Sequence, residues 1–115
     1  LKRNMITLDE LKQFSSKVDM SLLMKMIPMK SSIQRDVLPL LTRQEEMDIV
    51  ASRKNEQVIN KLARLAADHY RQSPNNATMY CLCMSVGTII KEFEWGTEYI
   101  KPEGMYKLAQ KIYQY

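Results

Sequence analysis

The sequence predicts a compact all-α single domain of six or seven helices, in which residues 90–100 leave room for one short β-hairpin. The chain has 115 residues, 45% of them apolar and 26% charged, a composition typical of one globular domain. It contains only three glycines and four prolines, too few for a β protein with many turns. Apolar residues recur at intervals of three and four along much of the chain, which is the helical repeat.

In the first half of the chain the helix signals are short and interrupted. Thr7–Glu10 and Thr42–Glu45 have the capping-box pattern that opens a helix. Pro28 and Pro39 predict helix ends, because proline disfavours helical geometry in the residue before it. We therefore predict separate short helices at 20–27 and 31–38. The helix that begins at Thr42 should end near Asn55, and its inward side is predicted to consist of Met47, Val50 and Ala51.

The second half carries the stronger helical patterns. Residues 56–72 have a continuous apolar stripe, and Asn55 before them is a good N-cap. The polar segment 73–76 is a clear break. Residues 77–90 contain no charge, which predicts a central helix buried on all sides. Gly87 within it costs about 1 kcal/mol relative to alanine, so we expect close helix packing at that point.

The last third of the sequence has one ambiguous segment before a final helix. Aromatic and acidic residues alternate around Gly96, so a short β-hairpin is one of the alternatives predicted for this segment. Pro102 suits the first turn of a closing helix. The inner stripe of that helix is predicted to be Met105, Leu108 and Ile112.

No combination of residues predicts catalysis or a cofactor. His69 is the only histidine, and its place on the inward side of a helix favours a core residue. Cys81 and Cys83 are two apart, so on a helix they point to nearly opposite sides and lack the number and spacing of zinc ligands. Two such cysteines also indicate a reducing compartment. We therefore expect a protein that is not an enzyme and has no cofactor, and no stretch reaches the ~18 apolar residues of a membrane span.

The basic side chains suggest a binding surface. The net charge of +4 favours an acidic partner. A solvated helix surface would explain the same residues, and Trp95 and Tyr106 are either core residues or aromatic anchors for a partner. The candidate partner-binding cations lie on two predicted helices: Lys61, Arg64, Arg71, Lys107 and Lys111.

Three segments of the second half carry a resemblance to a known family. They are Lys61-Leu-Ala-Arg64, Tyr80-Cys-Leu-Cys-Met84 after the polar break, and the closing segment Met105-Tyr-Lys-Leu-Ala-Gln-Lys-Ile-Tyr113. Together they resemble the C-terminal nucleocapsid-binding domain of rhabdovirus phosphoproteins. The resemblance implies that residues 1–115 are one helical domain, excised from the C-terminal end of a longer modular protein.

The family's function sets further expectations. A basic patch in these domains contacts an acidic, flexible loop of the viral nucleoprotein bound to RNA, and so tethers the polymerase to its template. The resemblance places that patch first on Lys61, Arg64 and Arg71 of the long helix, and then on Lys107 and Lys111 of the last helix. It also implies a hydrophobic pocket at Cys81 and Met84, although the family's tryptophan four residues after the cysteine is serine here.

The expected partners and location follow from the same resemblance. The partner is the viral nucleoprotein bound to RNA, and the polymerase is bound through the rest of the chain. The domain itself is expected to be monomeric, with no membrane partner and no sequence-specific nucleic acid. Its location would be the host cytoplasm, or the nucleus for a plant nuclear virus, and the virion.

Two other functions remain open from the sequence. A helical adaptor of the death-fold kind would pair the acidic group at Glu45–Asp48 with the basic residues 61–71 of a like domain. Self-association would distinguish such an adaptor from a monomeric nucleocapsid binder. Direct nucleic-acid binding by the basic helix is the third hypothesis, and a steep loss of RNA affinity with salt would support it.

Overall fold

Six α-helices and two short 3₁₀ turns make up the computed structural model, which describes residues 4–115. No β-strand occurs between residues 4 and 115, so the predicted all-α class is confirmed. The 3₁₀ turns are Leu38–Leu40 and Glu98–Ile100. The helices are α1 Leu8–Ser16, α2 Met20–Val37, α3 Arg43–Val50, α4 Glu56–Gln72, α5 Asn76–Glu92 and α6 Pro102–Gln114.

Helix α5 is the centre of the fold. Eleven of its 17 residues are buried, as the uncharged sequence predicted. Helices α2, α4 and α6 pack around it, and α1 contacts α5 and α6. In the part of the chain that is described, no helix combines the length and apolar character needed to cross a membrane.

Local sequence accounts for most of the helix starts. The capping boxes of Thr7 with Glu10 and of Thr42 with Glu45 are both formed. Asn55 caps α4 by accepting a hydrogen bond from the amide of Gln57 at 2.9 Å. Because these side chains satisfy amides that have no partner within the helix, the starts are set by a few neighbouring residues.

The prediction of two short helices at 20–27 and 31–38 is wrong, because α2 continues through Pro28. Pro28 lies on the solvent-exposed side of α2, as does Met24, whose carbonyl loses its helical donor there. Water can therefore satisfy that carbonyl. The opposite face stays apolar on both sides of the proline and packs against the core through Leu22, Met26, Met29, Ile33 and Val37.

Residues 90–100 do not form the hairpin that the sequence left open. Helix α5 runs to Glu92, and the Trp95 amide then donates to the Ile90 carbonyl at 3.2 Å. Phe93 and Trp95 contact each other with ring centroids 5.1 Å apart; Trp95 belongs to the core, and the partly buried Phe93 packs against it. Gly96 has φ +99°, which turns the chain into the second 3₁₀ turn.

That second 3₁₀ turn packs on glycines from two helices. A Cβ at Gly87 would lie 2.5 Å from the carbonyl oxygen of Tyr99, and a Cβ at Gly104 would overlap the carbonyl oxygen of Glu98. The close packing predicted at Gly87 is therefore present, although its partner is a 3₁₀ turn rather than a helix.

Helix α3 faces the opposite way from the prediction. Met47 is 50% exposed and Val50 87% exposed, and Ala51 is exposed as well. The buried residue of α3 is Glu45. The expected inward side is thus the outward side, because the ion pair of Glu45 with Lys61 of α4 fixes the rotation of this short helix.

Candidate protein-binding surface

Helices α4 and α6 bring the predicted cations onto one face of the molecule. Lys111 of α6 donates a hydrogen bond to Asn60 Oδ1 of α4 at 2.8 Å. The guanidinium of Arg64 lies over the ring of Tyr115, 5.0 Å from its centroid. Arg71 donates to the Tyr115 carbonyl at 2.8 Å. The end of α6 therefore lies along α4. We call Arg64, Arg71, Lys111 and Tyr115 the basic surface.

Two small cavities lie at the junction of α4 and α6. One, of about 140 Å³, is lined by polar and cationic side chains together with Tyr115: Gln57, Asn60, Lys61 and Arg64. The other, of about 190 Å³, is more aromatic and is lined by Ala67, Tyr70, Arg71, Ile112, Tyr113 and Tyr115. Because Tyr115 lines both, its half-exposed ring separates a polar groove from an aromatic one.

A charge network extends the basic surface towards the second 3₁₀ turn. Glu98 pairs with Lys54 at 3.2 Å and with Lys107 at 3.9 Å. Glu56 pairs with Lys54 at 3.7 Å and with Lys111 at 3.8 Å. Burial alone would lower the pKa of Lys54, but the hydrogen bond and charge of Glu98 and the contact with Tyr99 together outweigh this, so the pKa is raised and the charge is retained. Three lysines, one from the loop before α4 and two from α6, thus share two carboxylates.

The cations of this face differ in how strongly they are already engaged. Arg71 pairs with Asp68 and Lys107 with Glu98, and these pairs are solvent-exposed. Exposed pairs contribute about 0–1 kcal/mol, so an incoming carboxylate can replace them at little cost. Arg64 is exposed and, among residues 4–115, has no carboxylate within ion-pair distance. Arg64 is therefore the cation most open to a partner.

Lys61 has a structural role that the sequence did not reveal. Its ammonium donates to Glu45 of α3 and to the carbonyl of Leu40 at 3.0 Å. Burial would raise the pKa of Glu45, but the hydrogen bonds from Lys61 and Thr42 outweigh it and hold that pKa below its usual value. This pairing also occupies one carboxylate of the acidic group that the adaptor hypothesis assigns to a second molecule.

The two predicted aromatic anchors are placed differently. Trp95 is only 7% exposed, so it does not offer its ring to a partner, and its assignment to the binding surface is corrected. Its contact with Phe93 draws it into the core, where the indole Nε1 has no hydrogen-bond partner among the described residues. Tyr106 is 39% exposed on α6 and remains accessible.

The predicted pocket at Cys81 and Met84 is closed by α2. Cys81 is fully buried with its sulfur 3.9 Å from the Leu22 carbonyl, and burial raises the pKa of its thiol. Ser85 donates to the Cys81 carbonyl at 2.7 Å and lies 3.5 Å from the Met26 carbonyl. Met84 is half-buried against the core. Because α2 covers this side of α5, the pocket prediction is wrong for this chain.

The two cysteines and the histidine each contact neighbouring polar atoms within the described residues. Cys83 faces the carbonyl of Met105 at 3.5 Å, away from Cys81, and burial raises its pKa strongly. His69 is half-buried with Nε2 3.4 Å from the Ser32 hydroxyl. Within residues 4–115 no three side chains of the metal-ligating types are grouped to hold an ion.

The candidate binding residues named from the sequence did not include Tyr115, Lys54 and Asn60, which also belong to this face. Lys54 lies two residues before α4 begins, and only the folded structure shows that it is close to the lysines of α6.

Comparison with protein-family models, curated protein sequences and solved structures gives no match to this chain.

Proposed function

We propose that this domain is a non-enzymatic binding module that attaches a viral polymerase cofactor, the phosphoprotein, to the nucleoprotein–RNA template. The observation that carries the proposal is the convergence of Arg64, Arg71 and Lys111 from two helices around Tyr115. The sequence resemblance to rhabdovirus phosphoproteins supplies the kind of partner, and the basic surface supplies the means of contact.

The chemistry of the surface suits an extended acidic protein segment. The planar guanidinium of Arg64 can form paired hydrogen bonds with a carboxylate. Beside it, Gln57 and Asn60 offer side-chain amides for the backbone of a peptide. Tyr115 offers a ring for an apolar side chain. A segment that lies along the junction of α4 and α6 would use all three.

Interspersed acids make nucleic acid a poorer ligand for this face. Glu56, Asp68 and Glu98 lie among the cations and would repel a phosphate backbone. A peptide can place its carboxylates at Arg64 and avoid those three acids. We therefore favour the nucleoprotein over its RNA as the contacted molecule.

A weak contact would serve the proposed role. Many nucleoprotein copies lie side by side on one template, so each released domain meets another site at high effective concentration. In this proposal the domain is a monomer, the polymerase is bound by the rest of the phosphoprotein, and the complex acts in the host cell and is packaged in the virion.

The test is a titration of the domain onto purified rhabdovirus nucleoprotein–RNA complexes, with naked RNA as competitor. Arg64→Glu should weaken binding at least tenfold, since a charge-assisted pair contributes about 1.5–3 kcal/mol. Lys12→Glu is the matched control, because Lys12 is exposed on α1 and outside the basic surface. Lys61 is unsuitable for reversal, since a glutamate there would face Glu45 and disturb the fold.

The outcomes separate the three functional hypotheses. Saturable binding that RNA does not displace, lost in Arg64→Glu and kept in Lys12→Glu, supports the proposal. Equal affinity of both variants would show that the basic surface does not bind the nucleoprotein. Strong binding to naked RNA alone favours a nucleic-acid-binding domain, and concentration-dependent self-association favours the adaptor.

A further inference from the structure

The outward side of α3 carries two large apolar side chains at positions where solvent exposure would be expected to select polar residues. Arg43, Glu46, Met47 and Val50 follow the spacing i, i+3, i+4, i+7, so they share one face of the helix. Val50 is the most exposed large hydrophobic residue that the structure describes, at 87%. Met47 beside it is 50% exposed. Met47 and Val50 are therefore left uncovered by residues 4–115.

The chain after α3 turns this face into a groove. An open cavity of about 440 Å³ is lined by Arg43, Glu46, Met47, Val50, Ala51 and Arg53. We call these six residues the α3 groove. Its floor is apolar, and an arginine stands at each end of the chain segment that forms it.

The wall of the α3 groove is held in place by contacts at its C-terminal end. Ser52 has φ 56°, and its hydroxyl donates to Glu94 at 3.1 Å. The Arg53 amide donates to the Asp48 carbonyl at 2.8 Å, and its Nε donates to the Asp48 carboxylate at 3.1 Å. The loop is thus tied both to α3 and to the turn after α5, which presents Arg53 at the rim.

We propose that the α3 groove binds a short acidic peptide segment of another protein through one apolar side chain and flanking carboxylates. The apolar side chain would cover Met47 and Val50. The carboxylates would pair with Arg43, which has no acidic partner among the described residues, and with the exposed guanidinium of Arg53. Glu46 is the single acid of the groove and lies between them, which favours an apolar rather than an acidic residue at the centre of the peptide.

The size and charge of the α3 groove favour a peptide over a second copy of the chain and over nucleic acid. A stable dimer buries about 800 Å² on each partner, and an eight-residue helix with its loop offers too little surface for that. Nucleic acid would gain from the two arginines but would leave Met47 and Val50 uncovered. A peptide of about six residues would cover the apolar floor of the α3 groove and also reach the arginines at its rim. This site is separate from the basic surface and does not depend on the proposed function.

The probe is the acetylated, amidated peptide Glu-Asp-Leu-Leu-Asp-Glu, titrated into the isotope-labelled domain and followed by the amide chemical shifts. Saturable shifts confined to α3 and residues 51–53 are expected. Two comparison peptides isolate the two contributions: one has lysine in place of every acid, and the other has serine in place of both leucines. Each should bind at least tenfold more weakly than the probe.

Val50→Asp should weaken peptide binding at least tenfold, because it removes the apolar contact and adds a repelling charge. Met24→Asp is the matched control, since Met24 is an apolar residue of α2 that is 67% exposed outside the groove. Both variants should unfold at the temperature of the parent, which separates a binding effect from a folding effect.

Each remaining outcome overturns the proposal. The proposal would be overturned by any of three results: no saturable shifts at millimolar peptide, shifts that map to the basic surface, or equal binding of the lysine peptide. Dimerisation that Val50→Asp abolishes would assign the groove to a second copy instead. Arg64→Glu should leave peptide binding at α3 unchanged, so failure here and failure of the nucleocapsid proposal are distinguishable.

Discussion

Gly87 and Gly104 let three backbone segments meet where no side chain fits. Each packs against a backbone carbonyl of the second 3₁₀ turn, Tyr99 for Gly87 and Glu98 for Gly104. Backbone is harder to displace than the end of a flexible side chain, so these positions tolerate little adjustment. The turn joins α5 to α6 and carries Glu98, which belongs to the charge network beside the basic surface. A change at either glycine should therefore affect both the core and this network.

Gly87→Ala and Gly104→Ala should both destabilise the protein, with the larger loss at Gly104. Alanine gains about 1 kcal/mol in helix propensity, but overpacking costs about 1–3 kcal/mol, and the added Cβ at Gly104 lies closer to its backbone carbonyl oxygen than the one at Gly87. Urea unfolding measures the difference. Ser31→Ala, at an exposed position of α2, is the control and should be near neutral. Wild-type stability of Gly104→Ala would contradict the packing described here.

The ion pair of Glu45 and Lys61 is the residue-level contact that positions α3. Glu45→Gln should lower the free energy of unfolding at pH 7 by about 1–2 kcal/mol, because a charge-assisted bond becomes a neutral one. The pKa of Glu45 is lowered in the folded state, so its stabilisation is present above the unfolded pKa and is lost as pH falls through the folded value.

The pH profile gives this prediction a second test. Below pH ~4.5 the parent should lose stability more steeply than Glu45→Gln, and the two should converge in acid. Glu46→Gln is the matched control, since Glu46 is the exposed neighbour in the same helix turn. If Glu46→Gln and Glu45→Gln behave alike, the Lys61 pair does not position α3.

At the scale of elements, α2 shows tertiary packing overriding a local helix breaker. Pro28→Ala should raise the free energy of unfolding by about 1–3 kcal/mol, because alanine restores the hydrogen bond to the Met24 carbonyl and proline costs about 3 kcal/mol inside a helix. Thermal and urea unfolding would both report the gain.

Pro74→Ala is the matched control, with the opposite sign expected. Pro74 is exposed in the loop between α4 and α5, where proline restricts the unfolded chain. Its replacement should cost about 0.4–1 kcal/mol. A loss of stability in Pro28→Ala would mean that the proline is adapted to a bend in α2.

At the scale of the whole molecule, residues 4–40 form part of the core and do not merely lie on its surface. The hydroxyl of Tyr113 accepts a hydrogen bond from the Ile6 amide at 2.8 Å, which joins the two ends of the described chain. Burial raises the pKa of Tyr113 to about 12, so this phenol stays protonated at physiological pH. Phe14 stacks on the buried Tyr80 of α5 with ring centroids 5.3 Å apart.

A fragment of residues 42–115 should therefore fail to fold cooperatively, although it contains every segment of the family resemblance. It would leave the α2 side of α5 uncovered, where Cys81 and Ser85 now meet the backbone of α2. We expect loss of near-ultraviolet circular dichroism and strong binding of a hydrophobic dye, with residues 4–115 as the control. Sharp cooperative unfolding of the fragment would show that the second half is an independent domain.

The sequence by itself determined the features that depend on near neighbours. The bounds of α4, its Asn55 cap, both capping boxes and the buried character of α5 all follow from residues within one or two helical turns. These interactions are short-range, so periodicity and side-chain chemistry are enough to predict them. The cations on α4 and α6 were also named from the sequence.

Only the tertiary structure decided which faces are covered and which cations are engaged. Pro28 is tolerated because the far side of α2 has a core to pack on, and α3 turns its apolar side outward because Glu45 finds Lys61 on another helix. Trp95 is buried by its contact with Phe93 after a turn that no periodicity described. Each of these depends on a partner distant in the sequence, and a partner's position is set by the packing of the whole chain.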